Sequence, residues 1–284
     1  MDSGNLCVER PKITPFLKWV GGKRQLLPEI RKYLPPSYKS YFEPFLGAGA
    51  LFFELRPKAS VINDINTELM NCYQVIKENL SDLILDLSKH KHNQEYYYQL
   101  RSLDRQQRQF QLLNNVQRAS RFIYLNRTCF NGLYRVNREG YFNASFGKYK
   151  NPNYQNFELL QAISDFLNQN NVMICNNDFQ QALISAENED FIYFDPPYDP
   201  LNQTSKFTHY QTKIFRREEQ LRLKNTFDEL NAKGCKLMLS NSATEFIREL
   251  YQDYRIIAVK ASRAINSKGS GRGQVEEFLI LNYW

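Results

Sequence analysis

The chain has 284 residues, 42% hydrophobic and 24% charged, enough to bury a large core and to form one sizeable domain or one domain interrupted by an insertion. No apolar run nears the roughly 18 residues needed to span a bilayer, and Met1-Asp2-Ser3-Gly4-Asn5 lacks the basic start and apolar centre of a secretory leader, so a cytoplasmic protein is expected. The five cysteines (Cys7, Cys72, Cys129, Cys175, Cys235) are odd in number and scattered, which argues against a disulfide framework or a thiolate metal site, while the net charge of +7 points to an anionic partner.

In chain order, the first clear pattern runs from Tyr41 to Asp64. A strand Tyr41-Phe42-Glu43-Pro44-Phe45 leads into Gly47-Ala48-Gly49, a helix from Ala50 to Leu55 and a second strand Val61-Ile62-Asn63-Asp64. This is how a parallel α/β sheet opens. A glycine turn lets a ligand approach the backbone, and an acid ending the next strand can accept hydrogen bonds from ribose hydroxyls. Alternatively, Asp64 caps the helix that starts near Thr67.

A helical, polar stretch follows from about Thr67 to Leu125. Within it, His90 and His92 lie in a Lys-His-Lys-His run without partner carboxylates, as at a solvated helix end rather than a metal site. From Asn126 to Lys150 the chain turns rich in Gly, Asn and aromatic residues, as a hairpin or loop module would.

The charge is concentrated here. Residues 101–150 hold ten basic residues against Asp104 and Glu139, a local +8 that leaves −1 for the rest of the chain, and they are interleaved with Phe122, Tyr124, Phe130, Tyr134, Tyr141 and Phe146. A basic, aromatic segment of this kind fits nucleic acid, against the plainer reading of a solvated basic surface.

The α/β pattern resumes with Val172 to Asn176, Asp178-Phe179, a strand at 191–194, a helix around Arg217 to Lys233, a strand Cys235 to Ser240 and a closing strand Glu277 to Tyr283. One α/β domain split by an insertion is expected. The run Asn266-Ser267-Lys268-Gly269-Ser270-Gly271-Arg272-Gly273 reads as a basic loop suited to a phosphate backbone or to solvent. After the strand Phe191-Ile192-Tyr193-Phe194 stands Asp195-Pro196-Pro197-Tyr198, which combines a carboxylate, a rigid turn and an aromatic face. It suits a flat amino-bearing ring, or else is a Pro-rich turn with a solvated Asp.

Taken together, Lys18-Trp19-Val20-Gly21-Gly22-Lys23, Phe45-Leu46-Gly47-Ala48-Gly49, Ile62-Asn63-Asp64, Cys129-Phe130-Asn131-Gly132-Leu133-Tyr134-Arg135, Asn177-Asp178-Phe179 and Asp195-Pro196-Pro197-Tyr198 resemble the DNA adenine N6-methyltransferases of the Dam and DpnII type (D12 class). The order of these motifs resembles the alpha arrangement of amino-methyltransferases, and the likeness covers nearly the whole chain. It implies a Rossmann-like S-adenosylmethionine-dependent methyltransferase sheet carrying an inserted, mainly helical target-recognition domain. Residues 1–66 and 156–284 would form the split catalytic domain, and 67–155 the recognition domain with a DNA-reading hairpin.

By this resemblance S-adenosylmethionine sits against Trp19, Lys23, Asp64 and Asp195, with Phe45, Gly47 and Gly49 shaping the turn beneath it. Asp178 and Phe179 hold its adenine. Lys23 pairs with either the cofactor carboxylate or an active-site carboxylate, and Trp19 and Phe179 could also be plain core residues. The Asp195 carboxylate and the Pro196 carbonyl would accept the two N–H bonds of the target amine, Pro197 would fix the turn, and Tyr198 would stack on a base flipped out of the duplex. Arg135 matches guanine O6 and N7. Asn131 and Leu133 are candidate base contacts, Phe130 a wedge, Lys18 a contact to an outer base and Tyr149 a backbone contact.

The family commonly has Asn-Val-Pro-Phe-Gly where this chain has Asn143-Ala144-Ser145-Phe146-Gly147. Ser145 thus replaces a proline that lies near the thymine in relatives, within an expected GATC target. Double-stranded DNA is the expected partner, with a cognate restriction endonuclease as a functional partner, no metal, no membrane, and a monomeric enzyme. The alternatives are a different target sequence, another amino substrate such as an RNA adenine or a protein glutamine, or an idle DNA-binding relative.

Overall fold

The computed structural model describes residues 13–19, 21, 23–200, 215–262 and 274–284. The basic loop 266–273 therefore lies outside the described residues, as do Val20 and Gly22. Seven strands form one sheet: β1 (Tyr41–Glu43), β2 (Ala59–Asn63), β3 (Asn171–Cys175), β4 (Phe191–Phe194), β5 (Lys236–Ser242), β6 (Arg255–Ser262) and β7 (Gln274–Leu281). Their order is β3-β2-β1-β4-β5-β7-β6. The first five are parallel, and β7 runs antiparallel to both β5 and β6. The expected strands are all present, with bounds shifted by a few residues. β6 was not foreseen, although Ile256-Ile257-Ala258-Val259 carries a strand-forming composition.

The sheet is covered on both faces, and β4 shows why. Phe191 and Tyr193 enter one apolar cluster, Ile192 and Phe194 the other, as the period of two in a strand requires. The helices that do the covering begin with the short α1 (Leu27–Arg31) and α2 (Ala50–Leu55). Between β2 and β3 lie α3 (Thr67–Glu78), α4 (Leu80–Ser88), α5 (Gln94–Ser102), α6 (Gln107–Leu112), α7 (Asn115–Thr128) and α8 (Phe157–Gln169). After β4 come α9 (Arg217–Ala232) and α10 (Glu245–Leu250).

Helix α3 starts on Asn66, whose side chain accepts the Leu69 N–H at 3.1 Å. Asp64 therefore does not cap this helix. The long α7 begins with a capping box between Asn114 and Gln117, and after it the chain forms the expected hairpin. Arg135 O accepts from Asn143 N–H at 2.9 Å, and Tyr141 O from Asn137 N–H at 2.9 Å.

The sequence of strands fixes where a ligand can sit. From β1 the chain moves outward to β2 and β3, then returns to place β4 on the other side of β1. The loops after β1 and β4 diverge at this switch point, and in open α/β sheets the crevice between such loops, at the strands' carboxyl ends, is where ligands bind. The glycine turn 47–49 and the turn 195–198 are those two loops.

Candidate active site and nucleic-acid face

On the β1 side, the turn is built from two left-handed glycines, Gly47 (φ 51°) and Gly49 (φ 67°). A Cβ on Gly47 would lie 2.8 Å from the Trp19 ring, and one on Gly49 would lie 3.0 Å from the Tyr73 hydroxyl. At Gly47 neither conformation nor space admits a side chain, and at Gly49 the left-handed conformation opposes one. Because β1 and β2 pair in parallel, Asp64 comes to rest beside this turn, with its Oδ2 accepting the Gly47 N–H and its Oδ1 the Asn66 N–H, each at 2.9 Å. Burial raises the Asp64 carboxyl above its usual range, and these two bonds oppose the shift.

Three neighbours left without a role in the sequence, Asn63, Glu43 and Ile65, complete this side. Buried Asn63 donates to Pro44 O and Asn177 O, both at 3.0 Å, and accepts from Asn177 N–H at 2.8 Å, so it ties the loop after β1 to the loop after β3. Glu43 is buried and accepts the Tyr41 hydroxyl at 2.7 Å; burial pushes its carboxyl well above the usual range. Ile65, directly after Asp64, is 68% exposed. An apolar side chain that follows an acidic strand end was the available signal for it.

Phe179 is buried and packs on Phe45 with ring centroids 5.3 Å apart. Asp178 is not free: Arg222 of α9 grips both its oxygens, at 3.2 and 2.7 Å, while its guanidinium lies 4.4 Å from the centre of the Phe179 ring. Trp19 is half-buried over Gly47 and stacks on Tyr134 at 5.2 Å. It thereby joins the crevice to the hairpin segment.

On the β4 side, the pairing of Phe194 with Leu239 brings the next residues, Asp195 and Ser240, alongside each other. Ser240 donates to Asp195 Oδ1 at 3.0 Å, and Lys23 Nζ lies 2.7 Å from the same oxygen. Lys23 thus pairs with the Asp195 carboxylate, one of the two kinds of partner that sequence left open. Among the described residues, Oδ2 has no partner.

Burial raises the Asp195 carboxyl, with Lys23 and Ser240 opposing. Burial pulls Lys23 down, but Asp195, Tyr193 and Glu277 together outweigh it and hold the ammonium above its ordinary value. Lys23 Nζ also sits 4.4 Å from the centre of the Tyr198 ring, and the Tyr198 hydroxyl donates to Glu277 of β7 at 2.8 Å. The bland reading of a solvated Asp does not hold, because Asp195 is half-buried and ion-paired.

The expected DNA contacts gather around the end of α7. The buried Asn126 amide accepts from Lys18 N–H at 2.9 Å and donates to Lys18 O at 2.8 Å. The Lys18 ammonium reaches the Tyr149 hydroxyl at 3.3 Å. Phe130 is 59% exposed, and its N–H donates to Ser145 O at 2.7 Å. Asn131 is exposed in a left-handed conformation (φ 56°), and Leu133 is half-buried. Arg135 is exposed at the hairpin, where its guanidinium donates to Asn143 Oδ1 at 2.6 Å and Asn143 O at 3.0 Å.

His90 does follow the end of α4, but the two histidines are half-buried and hydrogen-bonded rather than solvated. His90 bonds Tyr96 OH at 2.7 Å and Ser120 Oγ at 2.9 Å, and His92 bonds Tyr149 O at 2.6 Å. His90 packs against the rings of Tyr96 and Tyr124 and His92 against Phe146, contacts that local composition does not reveal. Among the described residues no cluster of metal-ligating side chains exists, and no helix is long and apolar enough to cross a membrane.

A parallel sheet with an antiparallel final strand, a glycine turn tied to an acidic strand end and an aspartate-proline turn across the switch point together define a Rossmann-like methyltransferase. Residues 19–265 match the D12 class N6 adenine-specific DNA methyltransferases, and the chain belongs to that family. It is 47% identical over 273 residues to Type II methyltransferase M1.LlaDCHI of Lactococcus lactis subsp. cremoris, covering 95% of this chain and 96% of that one. Type II methyltransferase M.MjaIII of Methanocaldococcus jannaschii is 41% identical, with 96% and 100% covered. The DNA adenine methylase of Escherichia coli K12 is 35% identical, with 94% of each covered. The protein is thus a DNA adenine N6-methyltransferase.

Proposed function

We propose that this enzyme takes its methyl group from S-adenosylmethionine and places it on N6 of an adenine rotated out of duplex DNA, within GATC. The observation that carries this reading is the division of labour at Asp195. Lys23 and Ser240 both bind Oδ1, so Oδ2 is left to accept from a substrate.

The crevice suits the cofactor on its own chemistry. The turn at Gly47 presents backbone where a side chain cannot fit, Asp64 offers acceptors for ribose hydroxyls, and Ile65 with Phe45, backed by the buried Phe179, offers apolar surface for a purine. Asp178, oriented by Arg222, is the acceptor for the purine amino group. When bound, S-adenosylmethionine supplies a methyl carbon activated by sulfonium, and the electron pair of the broken C–S bond stays on sulfur.

The chain's own residues deal with the amine. The N6 lone pair of adenine is delocalised into the ring, so acceptors that favour the pyramidal form promote attack. Asp195 Oδ2 and Pro196 O take that role, one N–H each. Once the new N–C bond has formed, the extra proton on N6 is acidic and leaves to solvent, so no strong base is needed. Tyr198, steadied by Glu277 and Lys23, offers its ring to the flipped base, whose unstacking costs a few kcal/mol. Phe130 fills the gap and Asn131, Leu133, Arg135, Ser145, Lys18 and Tyr149 read the site, with residues 67–155 acting as the recognition domain. The names of the Type II relatives support a role beside a cognate restriction endonuclease, and a single transfer per site suits a monomer.

Labelled methyl transfer to a duplex library, with modified adenines mapped by position, tests this. Label confined to GATC supports the reading; label in another context leaves the chemistry and moves the target.

A further inference from the structure

Two consecutive prolines pose a problem for any turn that must hold a carbonyl in place. Neither Pro196 nor Pro197 has an N–H, so the turn can be anchored only through its carbonyls and its flanking residues. The Pro197 carbonyl accepts from Gln220 Nε2 at 2.9 Å, whereas the Pro196 carbonyl has no partner among the described residues. Just beyond the turn, the Asp199 N–H donates to Asn241 Oδ1 at 3.1 Å. The two anchors are joined, because Asn241 Nδ2 donates to Gln220 Oε1 at 3.1 Å.

The direction of this chain of amides is fixed. Asn241 Oδ1 receives two backbone N–H groups, from Asp199 and from Ser242 at 2.9 Å, so its other terminus must be the donor. Gln220 must then present its oxygen to Asn241 and its amino group to Pro197. Both side chains are buried, at 1% and 0% exposure, and each sits on a rigid element, Gln220 on α9 and Asn241 at the end of β5. Water does not substitute easily for either bond, and a buried amide with a lost partner is costly.

We infer that Gln220 and Asn241 are positioning residues for methyl transfer: their amide chain holds the Pro197 carbonyl away from the crevice and so leaves the Pro196 carbonyl as the one aimed at the target amine. Neither touches the substrate, and both act through the turn. The inference rests on the proposal that Asp195 and Pro196 receive the amine.

The test uses Gln220→Met, which keeps volume but has no donor, and Asn241→Asp, which still accepts both N–H groups but cannot donate to Gln220. Single-turnover methyl transfer is measured at saturating S-adenosylmethionine and duplex, together with the affinity for each and the melting temperature. Each variant is expected to lose on the order of tenfold to a hundredfold in rate, the scale of a slight misplacement of reacting groups, with both affinities retained. The double variant is expected to lose no more than either single one, because both cut the same chain.

Rates within twofold of wild type, or losses that simply add, would overturn the inference. So would a loss of affinity and melting temperature that accounts for the whole effect in both variants. Failure of the underlying reading is told apart by Asp195→Ala, which would then retain turnover whatever the two amides do.

Discussion

At the scale of the residue, the pairing of Lys23 with Asp195 makes a directional prediction about pH. In the proposed mechanism Asp195 accepts an N–H as the carboxylate; burial raises its carboxyl, and Lys23 pulls it back. The acid limb of the single-turnover rate therefore lies above that of an ordinary aspartate, and Lys23→Met moves it to still higher pH. A limb that stays in place or moves down would show that Lys23 does not set this ionisation. Much of the site was legible because its motifs are local. Asp195 to Tyr198 follow one strand, and Gly47 to Gly49 follow another. What stayed hidden depends on which strands become neighbours. Ser240, Gln220 and Asn241 are 23 to 45 residues from the partners they bind in the turn and just beyond it, and no periodicity links them to it. The grip of Arg222 on Asp178 was invisible for the same reason.

At the scale of the element, the strands after the insertion were readable from short apolar runs bounded by turns, and the hairpin from its Gly and Asn content. β6 was missed although its β-branched run is plain once its antiparallel pairing with β7 is seen. The helical character of the stretch after β2 could be read from its sequence, but not its interior. His90 was read as solvated, yet burial lowers its pKa from 6.5 to about 4. The sign follows from proton binding. Between these values the unfolded chain binds the extra proton and the folded one does not, so this histidine's contribution is full above pH 6.5 and is lost as pH falls toward 4. Thermal melting across that window should therefore drop more for the wild type than for His90→Gln. Equal slopes would mean that the imidazole titrates alike in both states.

At the scale of the whole molecule, the basic segment turns out to be partly architectural. Arg121 is buried on Asp104, Leu100 O and Arg101 O; Arg118 pairs with Glu68, and Arg105 with Asp104. These side chains hold the inserted helices together. One apolar cluster accordingly runs without a break from Phe191 of the sheet to Leu83, Tyr97 and Phe122 of the insertion. The charge count of the sequence therefore overstates the surface that meets phosphate. Arg108, Arg138, Lys148 and Lys150 are exposed and form no ion pair among the described residues. With Lys18 they suggest neutralisation of four or five phosphates, and thus a fall of about 4 log units in duplex affinity per log unit of salt. A flat dependence would contradict a phosphate-binding face there, and a slope near 9 would mean that the paired arginines are released on binding.

The central claim is that the turn after β4 carries out the methyl transfer, and the most direct measurement is the single-turnover rate of Asp195→Ala beside its affinity for duplex DNA. The expected result is a loss of roughly a hundredfold to a thousandfold or more, the scale of removing one preorganised polar group from a reacting centre, with duplex affinity close to wild type. A rate close to wild type in a variant that binds DNA normally would remove Asp195 from the mechanism, and the account of this site with it.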